Sequence, residues 1–138
     1  MNELLGACDT GDLRLVKKLL RRDPSLLNKK CGDGGWFPLL VACENGHEGT
    51  TRLLLEKSAV IDLAAYDGAT ALCMACQNGH EETARLLLEK GAAIDLAAYN
   101  GATALCMACQ NDHEGIALLL LEKGAAVDLA NNNGATPL

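Results

Sequence analysis

Aromatic side chains are nearly missing from this 138-residue chain: Trp36, Phe37, Tyr66 and Tyr99 are all it has. A core with so few rings must be assembled from Leu, Ala, Cys, Val and Ile, which favours closely packed helices over a sheet sandwich. Long apolar runs are missing too. None approaches the roughly 20 residues that a membrane span needs, and the start MNELLGACDTGD has no basic lead into an apolar stretch. The expectation is a soluble, unsecreted chain with no membrane partner. Surplus positive charge is also absent. A net charge of −6 argues against non-specific nucleic-acid binding, because neutralising phosphates takes an excess of Lys and Arg. The deficit is uneven: residues 1–30 carry seven basic and four acidic side chains, and residues 31–138 carry five and fourteen. The basic start reads as a solvated face on the first helices.

Nucleophile chemistry finds little material. The two serines, Ser25 and Ser58, have no local Ser-His-Asp arrangement, and no G-x-S-x-G occurs. Glycines recur singly at turns rather than as a phosphate loop. No catalytic residue and no cofactor is expected.

What the chain does have is repetition. GATALCMACQN at Gly68–Asn78 returns letter for letter at Gly101–Asn111. The offset of 33 continues to Gly134-Ala135-Thr136-Pro137-Leu138, and backwards to Gly35-Trp36-Phe37-Pro38-Leu39. Later in each unit, 45–59, 78–92 and 111–125 align without a gap, and a degenerate first unit at 4–20 precedes them with a connection two residues longer. Each unit is punctuated as helix, tight turn, helix, loop. Thr70 or Thr103 caps the first helix, Gly79 supplies a left-handed turn, and Glu81 and Glu82 sit at the positive end of the second helix. That second helix is expected to bury Ala84, Leu87 and Leu88 as one stripe and to stop at Gly91. Neither helix can bury its stripe alone, so the units must stack.

The motifs G-x-T-[A/P]-L, A-C-Q-N-G-H and L-L-L-E-K-G-A make the chain similar to the ankyrin repeat family over essentially its whole length. The resemblance implies an all-α solenoid of paired antiparallel helices linked by β-hairpin-like fingers, with protein binding and no catalysis. The units are 1–31, 32–64, 65–97 and 98–130, with 131–138 starting an incomplete one, all within a single domain. Departures from the family pattern are visible. TALC at Thr70–Cys73 and Thr103–Cys106 lacks the usual proline and histidine of T-P-L-H, Asp112 replaces a turn glycine, and Ser58 stands where Gly91 and Gly124 stand. Each of the last two swaps costs on the order of 1 kcal/mol if the backbone there has positive φ.

Seven cysteines raise the question of a metal or redox centre, since the copies spell C-x2-C-x29-C-x2-C. Tetrahedral zinc with bonds of about 2.3 Å needs its sulfurs roughly 3.8 Å apart. Stacked helices are displaced by roughly 8–10 Å and translated copies point the same way, so the two pairs cannot face one another. Cys8, Cys43, Cys76 and Cys109 form one column, and Cys73 and Cys106 fall with Leu40 in another. They read as small buried hydrophobes, and Cys31 as a loop residue. His47, His80 and His113 form one further column at the start of second helices. They read as turn and stacking residues, because no second His follows four residues on. No metal is expected, and free thiols place the chain in a reducing compartment, cytoplasmic or nuclear.

Function is then expected on a surface. In the ankyrin family, partners meet the finger tips and inner helices of the concave face. Carried onto this chain, those are Asp33 and Trp36; Tyr66, Asp67 and Ala69; Tyr99, Asn100 and Ala102; and Asn132, with Glu44, Asn45, Gln77, Asn78, Gln110 and Asn111 from the inner helices. Trp36, Tyr66 and Tyr99 are the expected aromatic anchors, among the residue types that make interface hot spots.

Two expectations concern context. The end after Pro137 shows no polar closing repeat, and Ile116 and Leu118 stand where the previous unit has Thr83 and Arg85. That suggests self-association through an uncapped end, or a fragment of a longer array. The partner is an unidentified protein. The alternative to a self-standing interaction module is a regulatory or targeting segment of a larger enzyme, truncated at Leu138.

Overall fold

The computed structural model describes residues 2–137. Met1 and Leu138, on which the expected start and truncation points fall, lie outside the described residues. Eight α-helices pair in order: α1 Glu3–Thr10 with α2 Leu13–Arg22, α3 Pro38–Glu44 with α4 Glu48–Glu56, α5 Ala71–Gln77 with α6 Glu81–Glu89, and α7 Ala104–Gln110 with α8 Glu114–Glu122. A 3-10 turn at Pro24–Leu26 follows α2. Among the described residues there is no β-strand; the fingers close through isolated antiparallel bridges, Cys31 with Trp36 and Ala64 with Thr70.

Short helices are marginal in water on their own, so packing must hold these two-turn segments. Inner helices stack on inner helices (α1 on α3, α3 on α5, α5 on α7), and each packs against the outer helix of its own pair. Leu54, Leu87 and Leu120, one from each of the last three helix pairs, are wholly buried. Truncating any one to Ala costs about 2–5 kcal/mol. The stripe on α6 differs from the sequence expectation: Leu86 is buried with Ala84 and Leu87, and Leu88 is only half-buried. Nothing in Leu86-Leu87-Leu88 marks which leucine faces out, and neighbouring repeats decide.

Helix starts follow local chemistry. Thr70 and Thr103 each accept a hydrogen bond at Oγ1, from the amides of Cys73 and Cys106, both at 3.3 Å. At α3 the cap is Phe37, which has no side-chain oxygen, and Pro38 opens the helix instead. Both non-glycine turn residues sit in left-handed backbone, Ser58 at φ 72° and Asp112 at φ 59°.

Two ladders set the register between repeats. The amides of Tyr66, Tyr99 and Asn132 donate to the carbonyls of Gly34, Asp67 and Asn100 one finger back, at 3.0, 2.9 and 2.7 Å. On the other side, Asn28, Asp62 and Asp95 accept at Oδ1 from the amides of Val60, Ala93 and Ala126, at 3.0, 3.0 and 2.9 Å.

Candidate functional site: the concave cleft

The fingers overhang the inner helices and enclose a cleft of about 680 Å³. Its sides are Asp33, Trp36, Tyr66, Asp67, Tyr99 and Asn100 from three successive fingers, and its floor is Leu40, Met74, Gln77 and Met107 from α3, α5 and α7. Clefts of this size with mostly apolar walls and a few placed polar groups are typical of binding sites.

Tyr66 and Tyr99 occupy one column, offset by 33, and both are exposed, at 56% and 74%. Glycine one finger back makes that possible. A Cβ at Gly35 or Gly68 would come 2.8 Å from the ring of Tyr66 or Tyr99. Trp36 belongs to a different column, that of Ala69 and Ala102, and its indole folds back over its own finger. A Cβ at Gly34 would lie 2.7 Å from Trp36 Nε1. The three rings therefore do not form one ladder: Trp36 is half-buried, while the two tyrosines stand out.

Of the other residues expected at the interface, the structure brings Asp33, Asp67, Ala69, Gln77 and Asn100 to the cleft. Ala69 and Ala102 are buried, and only Ala69 reaches the lining. Asn45, Asn78 and Asn111 turn their amides onto their own helices, donating to the carbonyls of Val41, Met74 and Met107 at 2.9, 2.9 and 2.7 Å. They cap the ends of their own helices. Asn45 also donates to Asp9 Oδ1 at 3.0 Å. Asn132 Nδ2 donates to the Tyr99 carbonyl at 2.7 Å. Glu44 and Gln110 lie outside the lining. Burial, and then the charge of Asp9, push the Glu44 carboxyl above its ordinary value.

Sequence reasoning missed Met74 and Met107. They sit in the column of Val41 within an apolar run, and only their half-burial, beside fully buried Cys73 and Cys106, shows that they face the cleft.

The histidine column works between repeats. Nε2 of His47, His80 and His113 lies 2.8, 2.8 and 3.0 Å from the carbonyl oxygens of Asp9, Glu44 and Gln77. A carbonyl only accepts, so each Nε2 carries the proton. Each ring also seats over the turn glycine of the preceding repeat, Gly11, Gly46 or Gly79.

Five of the seven cysteines are buried, with Cys31 and Cys109 half-exposed. Burial pushes the thiols of Cys8 and Cys43 up to about 12 and raises those of Cys73 and Cys76. Thiols held protonated in this way are poor nucleophiles and poor ligands. Among the described residues no group of three or more His, Cys, Asp or Glu side chains is placed to hold a metal ion. No helix among them is long and apolar enough to cross a membrane.

At the C-terminal end, Leu118 is 61% exposed, but Ile116 is buried in the same column as Thr50 and Thr83. Ile116 is therefore a core residue, because that position is buried in each of the last three helix pairs.

Stacked helix pairs, finger-to-finger hydrogen bonds and a cleft between fingers and inner helices define a helical-repeat solenoid. A family model of ankyrin repeats in three copies matches residues 4–98, and a single ankyrin repeat model matches 100–132. The chain belongs to the ankyrin repeat family, whose repeats are non-catalytic scaffolds for protein–protein interaction. A stretch of 69 residues, half of this chain, is 38% identical to a probable E3 ubiquitin-protein ligase, XBOS32, of Oryza sativa subsp. japonica, and spans 14% of that protein's length.

Proposed function

We propose that this chain is a protein-interaction module without catalytic activity of its own, holding a segment of a partner protein in the concave cleft. One observation carries the reading. Of only four aromatic side chains, three line this cleft, and both tyrosines stand exposed over a floor of two methionines. Tyr and Met are enriched where proteins meet, and Met adapts its shape to what docks on it. A reducing compartment, cytoplasm or nucleus, suits a chain with seven unpaired thiols.

Site-specific photocrosslinking tests this. A benzoylphenylalanine introduced at Gln77, in the cleft, should capture a discrete partner from cell extract that one at Lys90, on an outer helix end, does not. Substituting Tyr66 and Tyr99 should abolish the capture at 77. Equal capture at both positions would place binding elsewhere.

A second reading is favoured by the partial match to a much longer ligase: the repeats serve as the substrate-docking or targeting segment of a larger enzyme. An antibody against the chain should then detect, in cells, a species far larger than 138 residues. A species of the bare chain's size would reject it.

A further inference from the structure

We propose that the corner formed by Asp67 and Tyr99 receives a cationic side chain, Arg or Lys, from the segment that docks in the cleft. The inference rests on the cleft being the docking site. Charge on the lining is of one sign, since Asp33 and Asp67 line it and no Lys, Arg or His does. Lys30 stands at the Tyr66 side of the cleft, but at the Asp67 side an anion meets a carboxylate, whereas a cation meets complementary charge.

The repeat itself shows what the corner takes. In the preceding repeat, Lys30 Nζ stands 5.4 Å from the centre of the Tyr66 ring, a cation on an aromatic face. One repeat later, Tyr99 stands at the position of Tyr66, but the stretch equivalent to Lys30 is Leu63-Ala64, which carries no charge. Among the described residues no cation lies over Tyr99, which is also the more exposed of the two rings. Beside it, Asp67 is fixed twice: its carbonyl accepts from the Tyr99 amide at 2.9 Å, and its Oδ1 from the Ala69 amide at 2.9 Å. Its Oδ2 takes no hydrogen bond among the described residues. A guanidinium or ammonium over the Tyr99 ring would reach that oxygen, and an apolar neighbour in the same segment would settle on Met74 and Met107.

Asp67 and Tyr99 can be replaced by residues that the chain itself uses at the equivalent positions. Asn100 makes the same turn bond to Ala102 at 2.9 Å, so Asp67→Asn keeps the finger, and Asn132 stands in the Tyr99 column, so Tyr99→Asn does too. The probe is a library of nine-residue peptides, randomised except for a central Arg, Lys, Gln, Glu or Leu, retained on the immobilised chain and read by sequencing. The expected result is that Arg and Lys pools are retained at least about threefold over Gln, and that each variant brings the ratio close to one while apolar selection at flanking positions persists. Retention of peptides with no basic preference, or an unchanged preference in Asp67→Asn, overturns the cationic assignment and leaves cleft docking standing. If a cleft-blocked Met74→Arg chain retains the pools as well as the native chain does, docking in the cleft falls, and this inference with it.

Discussion

The imidazole of His80 lies over Gly46, where an added Cβ would come 2.5 Å from Nδ1, while its Nε2 bonds the Glu44 carbonyl at 2.8 Å. One side chain thereby locks two repeats together, and the glycine is required twice over: for its φ of 70° and for the space it leaves. Gly91 provides the comparison, with φ 94° and nothing within 4 Å of an added Cβ. Gly91→Ala should cost about 1 kcal/mol from backbone strain alone. Gly46→Ala should cost more by a further 1 kcal/mol or so, as the His80 ring is displaced from its carbonyl. Urea denaturation of both variants checks the difference, and equal losses would mean that the ring seat contributes nothing.

The same reasoning runs in reverse at Ser58 and Asp112, which hold positive φ without being glycine. Ser58→Gly should stabilise by about 0.5–1 kcal/mol, the relief of strain exceeding the entropy that glycine gains in the unfolded chain. Asp112→Gly should gain less, because Asp tolerates the left-handed region better than Ser. Thermal melts decide it.

Buried thiols make stability depend on pH in the alkaline range. In the folded chain Cys8 and Cys43 titrate at about 12 against an ordinary 9.0. Between those values the unfolded chain has lost protons that the folded chain keeps, so unfolding is favoured as pH rises. Stability is fully present below about pH 9 and declines towards pH 12, with each such thiol steepening the slope by up to about 1.4 kcal/mol per pH unit. Replacing Cys8 and Cys43 with Ala lowers stability at neutral pH but should flatten the alkaline decline, which chemical denaturation at pH 7, 9 and 10 would show. In the native state at pH 8, Cys31 and Cys109 should react first with a thiol reagent, as the half-exposed pair.

Much of this was legible in the sequence because the repeat is nearly identical to itself. The offset of 33 from Gly68 to Gly101 places the helices, turns and fingers, and the two cysteine columns follow from it. Side-chain direction was less legible. The run Ala71–Cys76 is apolar throughout, so no polar residue marks a solvent side, and that Met74 faces the cleft while Cys73 is buried depends on the finger overhead. Ile116 looked like an exposed departure from Thr83, yet both lie inside, each about 2% exposed. The amides of Asn45, Asn78 and Asn111 looked free in the sequence, but each folds back onto the carbonyl of Val41, Met74 or Met107, which also accepts the same residue's backbone N–H.

The aromatic residues of the cleft should separate into structural and binding roles. Trp36 is half-buried over Gly34, so Trp36→Ala should cost about 1–3 kcal/mol of stability. Tyr66→Ala and Tyr99→Ala, at exposed positions, should each stay within about 0.5 kcal/mol of the native chain. A comparable loss at Tyr99 would show that the ring holds the fingers together rather than standing ready for a partner.

Leu118 occupies the position where Arg52 and Arg85 reach back to Glu48 and Glu81, at 3.2 and 3.4 Å. These are exposed pairs one helical turn apart, worth a few tenths of a kcal/mol each, so their loss at the third repeat changes stability little. What changes is the surface, since Leu118 at 61%, Val127 at 44% and Leu129 at 40% leave apolar side chains in water towards the C-terminal end. Leu118→Arg should rebuild the pair with Glu114, leave the melting point within about 2 °C, and reduce any concentration-dependent association seen by sedimentation velocity. Association of equal strength in the variant would remove this leucine from the self-contact and shift attention to Val127 and Leu129.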